Sequence, residues 1–151
     1  MSKFTTAEQR ERKAIDWFIN SNPIHKIDEI SEVGSFKSND FKFFSGGTHI
    51  IAEIKIRDFE SNKYPTVVID LDKINRILNE NEQSYRIYRS KFLYLAFYPK
   101  SRDLLIFDVM NTPSTLTYEW APVTTMDPSR GYKNKVMMNF KIEDAITIIK
   151  Y

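Results

Sequence analysis

Two carboxylates and a lysine, Asp40, Glu53 and Lys55, are spaced so that one tight turn would bring them onto a single sheet face. Residues 39–44 and 49–57 both alternate apolar and polar side chains. Ser45-Gly46-Gly47-Thr48 joins them, and its two glycines supply the positive φ that a short hairpin needs. Pairing about the glycines sets Phe44 against His49 and, counting outward, Asp40 across from Glu53, with Cβ atoms roughly 4.5–5.5 Å apart. One face of the hairpin then carries Phe41, Phe43, Ile50, Ala52, Ile54 and Ile56 toward a core. The other carries Asp40, Lys42, Glu53, Lys55 and Arg57, interrupted near the turn by Phe44 and Ile51, and is expected to be wet or catalytic. Opposed carboxylates repel unless a proton, a cationic side chain or a divalent metal lies between them, and Mg²⁺ takes oxygen ligands from carboxylates and phosphate. With the Lys55 ammonium beside them, the set suits metal-assisted phosphodiester hydrolysis: the ion polarises phosphate and acidifies water, and the lysine holds that water or the developing charge. The alternative is an exposed sheet face with an Asp40–Lys42 or Glu53–Lys55 ion pair.

Asp40, the hairpin and Glu53-Ile54-Lys55 together resemble the PD-(D/E)XK nuclease superfamily, in which a metal-binding Asp is followed on the next strand by (D/E)-X-K. The resemblance covers about residues 6 to 98, and Asn39 stands where the motif's proline would be. It implies a restriction-endonuclease-like or Holliday-junction-resolvase-like α/β fold: a central mixed β-sheet flanked by helices, an αβββαβ core, with a C-terminal extension. It also implies an Mg²⁺-dependent nuclease, with Mn²⁺ able to substitute, acting on DNA rather than RNA. Asp40, Glu53 and the Ile54 carbonyl would hold the ion and Lys55 would position the water. The rival class is a catalytically silent protein that keeps the fold and binds nucleic acid or serves as a scaffold.

The elements that must position these residues are legible on both sides of the hairpin. Thr5 or Thr6 can cap a helix running to about Asn20, stopped by Pro23. Ala7, Ala14 and Phe18 fall on one arc of it, and Glu11 lies inside that arc, where a carboxylate needs a partner. The resemblance implies that Glu11 reaches the metal site, with Glu8 in reserve; an ion pair with Lys55, Arg12 or Arg57 is the bland reading. Residues 24 to 36 read as a strand, or as a short helix from the three-residue repeat of Ile24, Ile27, Ile30 and Val33. After an exposed loop over 57–65, Thr66–Asp70 reads as a strand, and Asp72 as the N-cap of a helix from Lys73 to about Tyr88. The resemblance makes Lys73 a second cation beside the site. Lys91–Tyr98 and Leu104–Val109 are strands joined as a hairpin, Thr115–Trp120 and Val136–Phe140 further strands, and Glu143–Lys150 reads as a closing helix.

At 151 residues the chain is expected to form one domain, its core about 6–109 and residues 110–151 an extension packed on it. No cysteine means no disulfide, thiolate metal site or cysteine nucleophile, and the polar start offers no signal peptide, so a soluble cytoplasmic protein is expected. His25 and His49 are too scattered for zinc, and the four glycines form no nucleotide fingerprint. Net charge is only +2, but residues 37 to 102 hold 12 Lys and Arg against 8 Asp and Glu, so the nuclease-like segment is the basic one. Candidate nucleic-acid contacts are Lys42 and Arg57 on the hairpin, Arg86, Arg89 and Lys91 in one aromatic-basic patch, and Arg130 and Lys133 in another. No membrane partner is expected. A homodimer would suit the cutting of two strands, and a repair, restriction, phage or mobile-element enzyme all fit.

Overall fold

The computed structural model describes residues 6–21, 29–33, 41–123 and 128–150. Helix α1 (Thr6–Ser21) is followed by β1 (Glu29–Val33), β2 (Phe41–Ser45) and β3 (Thr48–Ile56), then β4 (Thr66–Asp70), α2 (Leu71–Glu80) and α3 (Glu82–Tyr88). Next come β5 (Lys91–Tyr98), β6 (Asp103–Asp108), β7 (Thr115–Pro122), β8 (Tyr132–Lys141) and β9 (Thr147–Lys150). Among the described residues no helix is long and apolar enough to cross a membrane.

The β2–β3 hairpin has the expected register, with Phe44 opposite His49 and Phe41 opposite Ala52, because Gly46 (φ 55°) and Gly47 (φ 80°) turn the chain where other residues would be strained. Around it the central sheet runs β1-β2-β3-β5-β6-β9. Its first three strands form an antiparallel meander, β3 and β5 are parallel, and β6 pairs antiparallel with both β5 and β9. The β3-to-β5 crossover travels through β4, α2 and α3. Strand β4 leaves the central sheet to head a second one, β4-β8-β7.

Both faces of the central sheet are covered, as a parallel pair at its middle requires. On one face Phe41, Phe43, Ile50, Ala52 and Ile54 pack with Leu93, Leu95 and Phe97 under Ala14, Ile15 and Phe18 of α1. On the other, Ile51, Phe92, Tyr94, Ala96 and Phe107 meet Val67 and Ile69 of β4, Phe140 of β8, and Ile74 and Ile77 of α2. The second hairpin face is therefore not wet over most of its length. Ile51, which looked like an apolar interruption, belongs to this second core.

Three local expectations are corrected. Asp70, not Asp72, caps α2, its carboxylate accepting from the Asp72 amide at 3.0 Å. The 73–88 helix is broken at Asn81, whose side-chain amide and backbone N–H both donate to the Ile77 carbonyl, at 2.7 and 3.1 Å, and cap α2 there. The closing helix is absent: Ile142–Asp144 form one 3₁₀ turn and Thr147–Lys150 form β9. Short β-branched residues gain more from pairing with the bare edge of β6 than from one unsupported helical turn, and Ile106 to Asp103 receive them in register. The described part of residues 24–36 is a strand, β1; the rest lies outside the described residues, as does Thr5.

Candidate active site

Parallel β3 and β5 end together at one rim of the central sheet, and β3 brings Glu53, Lys55 and Arg57 to that rim on one face. Beyond Ala52 the described part of β2 no longer flanks β3, so α1 can reach across the strand's edge. Its first turns are anchored there by Arg10, which donates to the Asp58 carboxylate at 2.7 Å and lowers the Asp58 pKa. Glu11, half-buried one residue on, acts electrostatically on Lys55. From the other side, the capped first turn of α2 directs Lys73 onto Glu53, and the two form an ion pair through Glu53 Oε1.

The resulting cluster is unusual in its density of charge for its depth. Glu53 is only 3% exposed. Lys55 is half-buried and its pKa is lowered, first by burial and then by the neighbouring Arg57 and Lys73 cations, against the pull of Glu11 and Glu53. Arg57 Nη2 donates to the Val68 carbonyl at 2.9 Å and lies 3.5 Å from the Tyr94 hydroxyl, which ties β3 to β4 and β5. Burial drives the Tyr94 phenol far above its ordinary pKa, so it stays neutral under this cluster. Among the described residues, two carboxylates thus share the site with three cations.

Asp40, the other expected metal ligand, lies outside the described residues, as does the side chain of Glu8. Among the described residues no three Asp, Glu, His or Cys converge into a metal-binding group. The donors present are nonetheless of the right kind for a hard divalent ion: Glu53 and Glu11 offer only oxygen, and no thiolate or histidine accompanies them. Ile54 points its side chain into the core, and its backbone pairs with Leu95.

The expected nucleic-acid contacts separate into two groups. Arg57 joins the cluster. Lys42 does not: it is buried opposite Ile51, and its charge acts on His49. Arg86 pairs with Glu82, Arg89 terminates α3 at φ 49°, and Lys91 begins β5 at the level of Ile50, three positions or about 10 Å from the level of Glu53. These three lie toward the opposite rim. The second patch is brought nearer the cluster: Lys133 Nζ is 3.8 Å from Asp72 and Lys135 Nζ 3.5 Å from Asp70, beside the first turn of α2 that carries Lys73, and Arg130 is exposed in the turn before β8. No single segment could have revealed this, because it depends on β8 pairing with β4 more than sixty residues earlier.

No protein-family model matches the chain, and no curated protein matches it at a significant level. Among solved structures, a Holliday junction resolvase, Hjc, from the archaeal hyperthermophile Archaeoglobus fulgidus matches with a TM-score of 0.53. The match covers 97% of this chain and 92% of that one at 12% identity. The likeness is therefore one of architecture: this chain has the mixed α/β fold of a Holliday junction resolvase, a central mixed sheet flanked by helices, as expected from the order of its elements.

Proposed function

We propose that this chain is a metal-dependent nuclease that hydrolyses DNA phosphodiester bonds, with branched DNA as its preferred substrate. The observation that carries this reading is the convergence of Glu11, Glu53, Lys55 and Lys73 from three separate elements at one rim of the sheet. Resemblance in fold to a Holliday junction resolvase supports the choice of branched DNA. Glu53 and Glu11, with Asp40 and the Ile54 carbonyl, would hold Mg²⁺ or Mn²⁺. Such an ion, when bound, neutralises phosphate charge and acidifies water. Lys55, on the same strand face as Glu53 and within the electrostatic reach of Glu11, is suited to hold the attacking water or the developing charge. Lys73 would orient the scissile phosphate once Glu53 turns to the metal. Arg57 is fixed by Val68 and would stabilise charge developing on the phosphate oxygens. Lys133 and Arg130 would contact the flanking backbone, and a homodimer would present two such sites to two strands.

The test is cleavage of branched, linear and single-stranded DNA by the wild type and by Glu53→Gln, with Mg²⁺ and with Mn²⁺. Metal-dependent cleavage that Glu53→Gln abolishes is expected. Tight binding without cleavage in either metal would remove the hydrolytic reading and leave a nucleic-acid-binding protein on the same fold.

A further inference from the structure

Beside the charged cluster lies a cavity of ≈ 590 Å³, formed where the 57–65 loop faces strands β4 and β7, and lined among others by Arg57, Phe59, Tyr64, Tyr98, Tyr118 and Glu119. Its volume lies within the range of small-molecule sites. Arg57 belongs to both places: it is two residues beyond Lys55 on the same strand face and also forms part of the cavity wall. The cavity and the cluster therefore meet at Arg57.

The walls have a definite chemistry. Four of the twelve lining residues are aromatic rings, and they come from three separate regions of the chain. Phe59 is seated against Tyr64 (5.1 Å, 89°) and Tyr98 (5.9 Å, 63°), which fixes the inner wall. Tyr64 and Tyr118 are 49% and 79% exposed, so flat rings are offered to a guest from the loop and from the second sheet. Lys63 Nζ stands 5.5 Å from the Phe59 ring centre and 5.4 Å from that of Tyr64, placing a cation by the same rings. Glu119 and Asn139 add hydrogen-bonding groups.

We propose that this cavity receives the base of one unpaired nucleotide, stacked on Tyr64 and Tyr118, with its phosphate held between Arg57 and Lys63 beside the scissile position. The inference rests on the nuclease reading, because it takes DNA as the ligand, and it narrows the substrate to DNA that has an unpaired nucleotide at or next to the cut. A continuous duplex offers no free base face, whereas a branch point, flap or bulge does, and base–aromatic stacking tolerates any base. A lipid or an apolar peptide would leave Arg57 and Glu119 facing apolar groups, at a desolvation cost with no return.

The experiment is a binding titration in EDTA, which needs no cleavage, with two duplexes of identical sequence. One carries a single unpaired 2-aminopurine as a bulge, and the other carries it paired. Wild type is expected to bind the bulged duplex about tenfold more tightly and to change its fluorescence as the base stacks. Tyr64→Ala combined with Tyr118→Ala, both exposed rings, should remove that preference while binding to the paired duplex stays within twofold and the melting temperature is kept. Equal affinity of wild type for both duplexes, or equal weakening of both by the double variant, would overturn the cavity assignment alone and leave the Glu53 cleavage test standing. Failure to bind either duplex would likewise overturn the cavity assignment, and the nuclease reading would still be decided by the cleavage of branched DNA with metal.

Discussion

Strand β3 buries ionisable side chains at both of its ends, on one face, and treats them in opposite ways. Near the turn, His49 is 3% exposed and its Nδ1 lies 2.6 Å from Ser90 Oγ, with the rings of Phe44 and Tyr88 at 4.8 and 5.2 Å. Burial, reinforced by the Lys42 charge, lowers its pKa and keeps it neutral. At the other end, Glu53, Lys55, Arg57 and Lys73 are crowded together and opposite charges are held side by side. A fold that merely needed to fill space would follow the first solution, since a neutral, hydrogen-bonded group costs little to bury and a cluster of ions costs much more. The difference is what the proposed site would require of the far end of β3.

The largest effect should come from testing that contrast directly. Lys55→Ala and Glu53→Gln are each expected to lower single-turnover cleavage by about 10²–10³-fold while the melting temperature stays close to that of wild type. His49→Ala should do the reverse, leaving cleavage within twofold and costing about 2 kcal/mol in urea unfolding through lost packing and a broken buried hydrogen bond. If both ends respond alike, the contrast fails.

The ion pair at the site can be sharpened next. A divalent ion that binds only the folded chain stabilises it by RT ln(1 + [L]/Kd), about 2.7 kcal/mol at a hundredfold excess over Kd. Saturating Mn²⁺ should therefore raise the wild-type melting temperature relative to EDTA and leave Glu53→Gln unmoved. Removing the competing ammonium with Lys73→Ala should enlarge the Mn²⁺ shift. A shift of equal size in all three proteins would place the metal elsewhere.

Asp103 supplies a control outside the cluster, because it too is a buried charge, 6% exposed, on β6. Burial pushes its carboxyl up, but hydrogen bonds from Lys150, Ser61 and Ser101 together outweigh it and hold the pKa below the ordinary value. Lys150 lies 2.7 Å away and the Ser61 hydroxyl donates at 2.5 Å. Asp103→Asn should cost about 1–3 kcal/mol and loosen both β9 and the 57–65 loop, as read by amide exchange. Because the folded pKa is depressed, this stabilisation is complete above the unfolded carboxyl pKa of 3.8 and is lost as pH falls through the folded value. An Asp103→Asn chain with wild-type acid sensitivity would contradict the assignment.

The smallest expected effect is the acid response of His49. Its folded pKa lies below 6.5, so the stability it contributes is fully present above 6.5 and declines as pH falls through the folded value. A melting-temperature profile from pH 8 to 5 should flatten in His49→Gln relative to wild type.

How much of this could be read beforehand depended on range. Gly46-Gly47 fixed the hairpin register locally, and with it the shared face of Glu53, Lys55 and Arg57. Glu11 could be singled out because a carboxylate on an apolar helical stripe needs a partner, and Lys55 now lies within its electrostatic reach. The order of helices and strands along the core was equally legible. What escaped were features set by distant pairings. Strand β4 belongs to the second sheet only because β8 receives it, and from that follow Lys133 and Lys135 beside α2 and the β7 wall of the cavity. The strand at 147–150 escaped for the same reason: a four-residue apolar run has no periodicity of its own, and the bare edge of β6 decided its shape.

That late segment has a consequence for how the chain acquires its shape. Strand β8 closes the second sheet against β4, and β9, a few residues further on, completes the pairing of β6, so both sheets wait for residues 132–150. Closing loops that long delays the reward of pairing, which places these strands late on the folding route and makes folding slower than the local hairpins alone would allow. During synthesis the edges of β4 and β6 stand open until that stretch has left the ribosome, an interval in which two chains on one message could pair with each other instead. In the finished molecule the same dependence becomes cooperativity. Releasing residues 132–150 removes the middle strand of the second sheet and an edge strand of the central sheet at once, so amides in β4, β6 and β7 should exchange as one unit with those of β8 and β9.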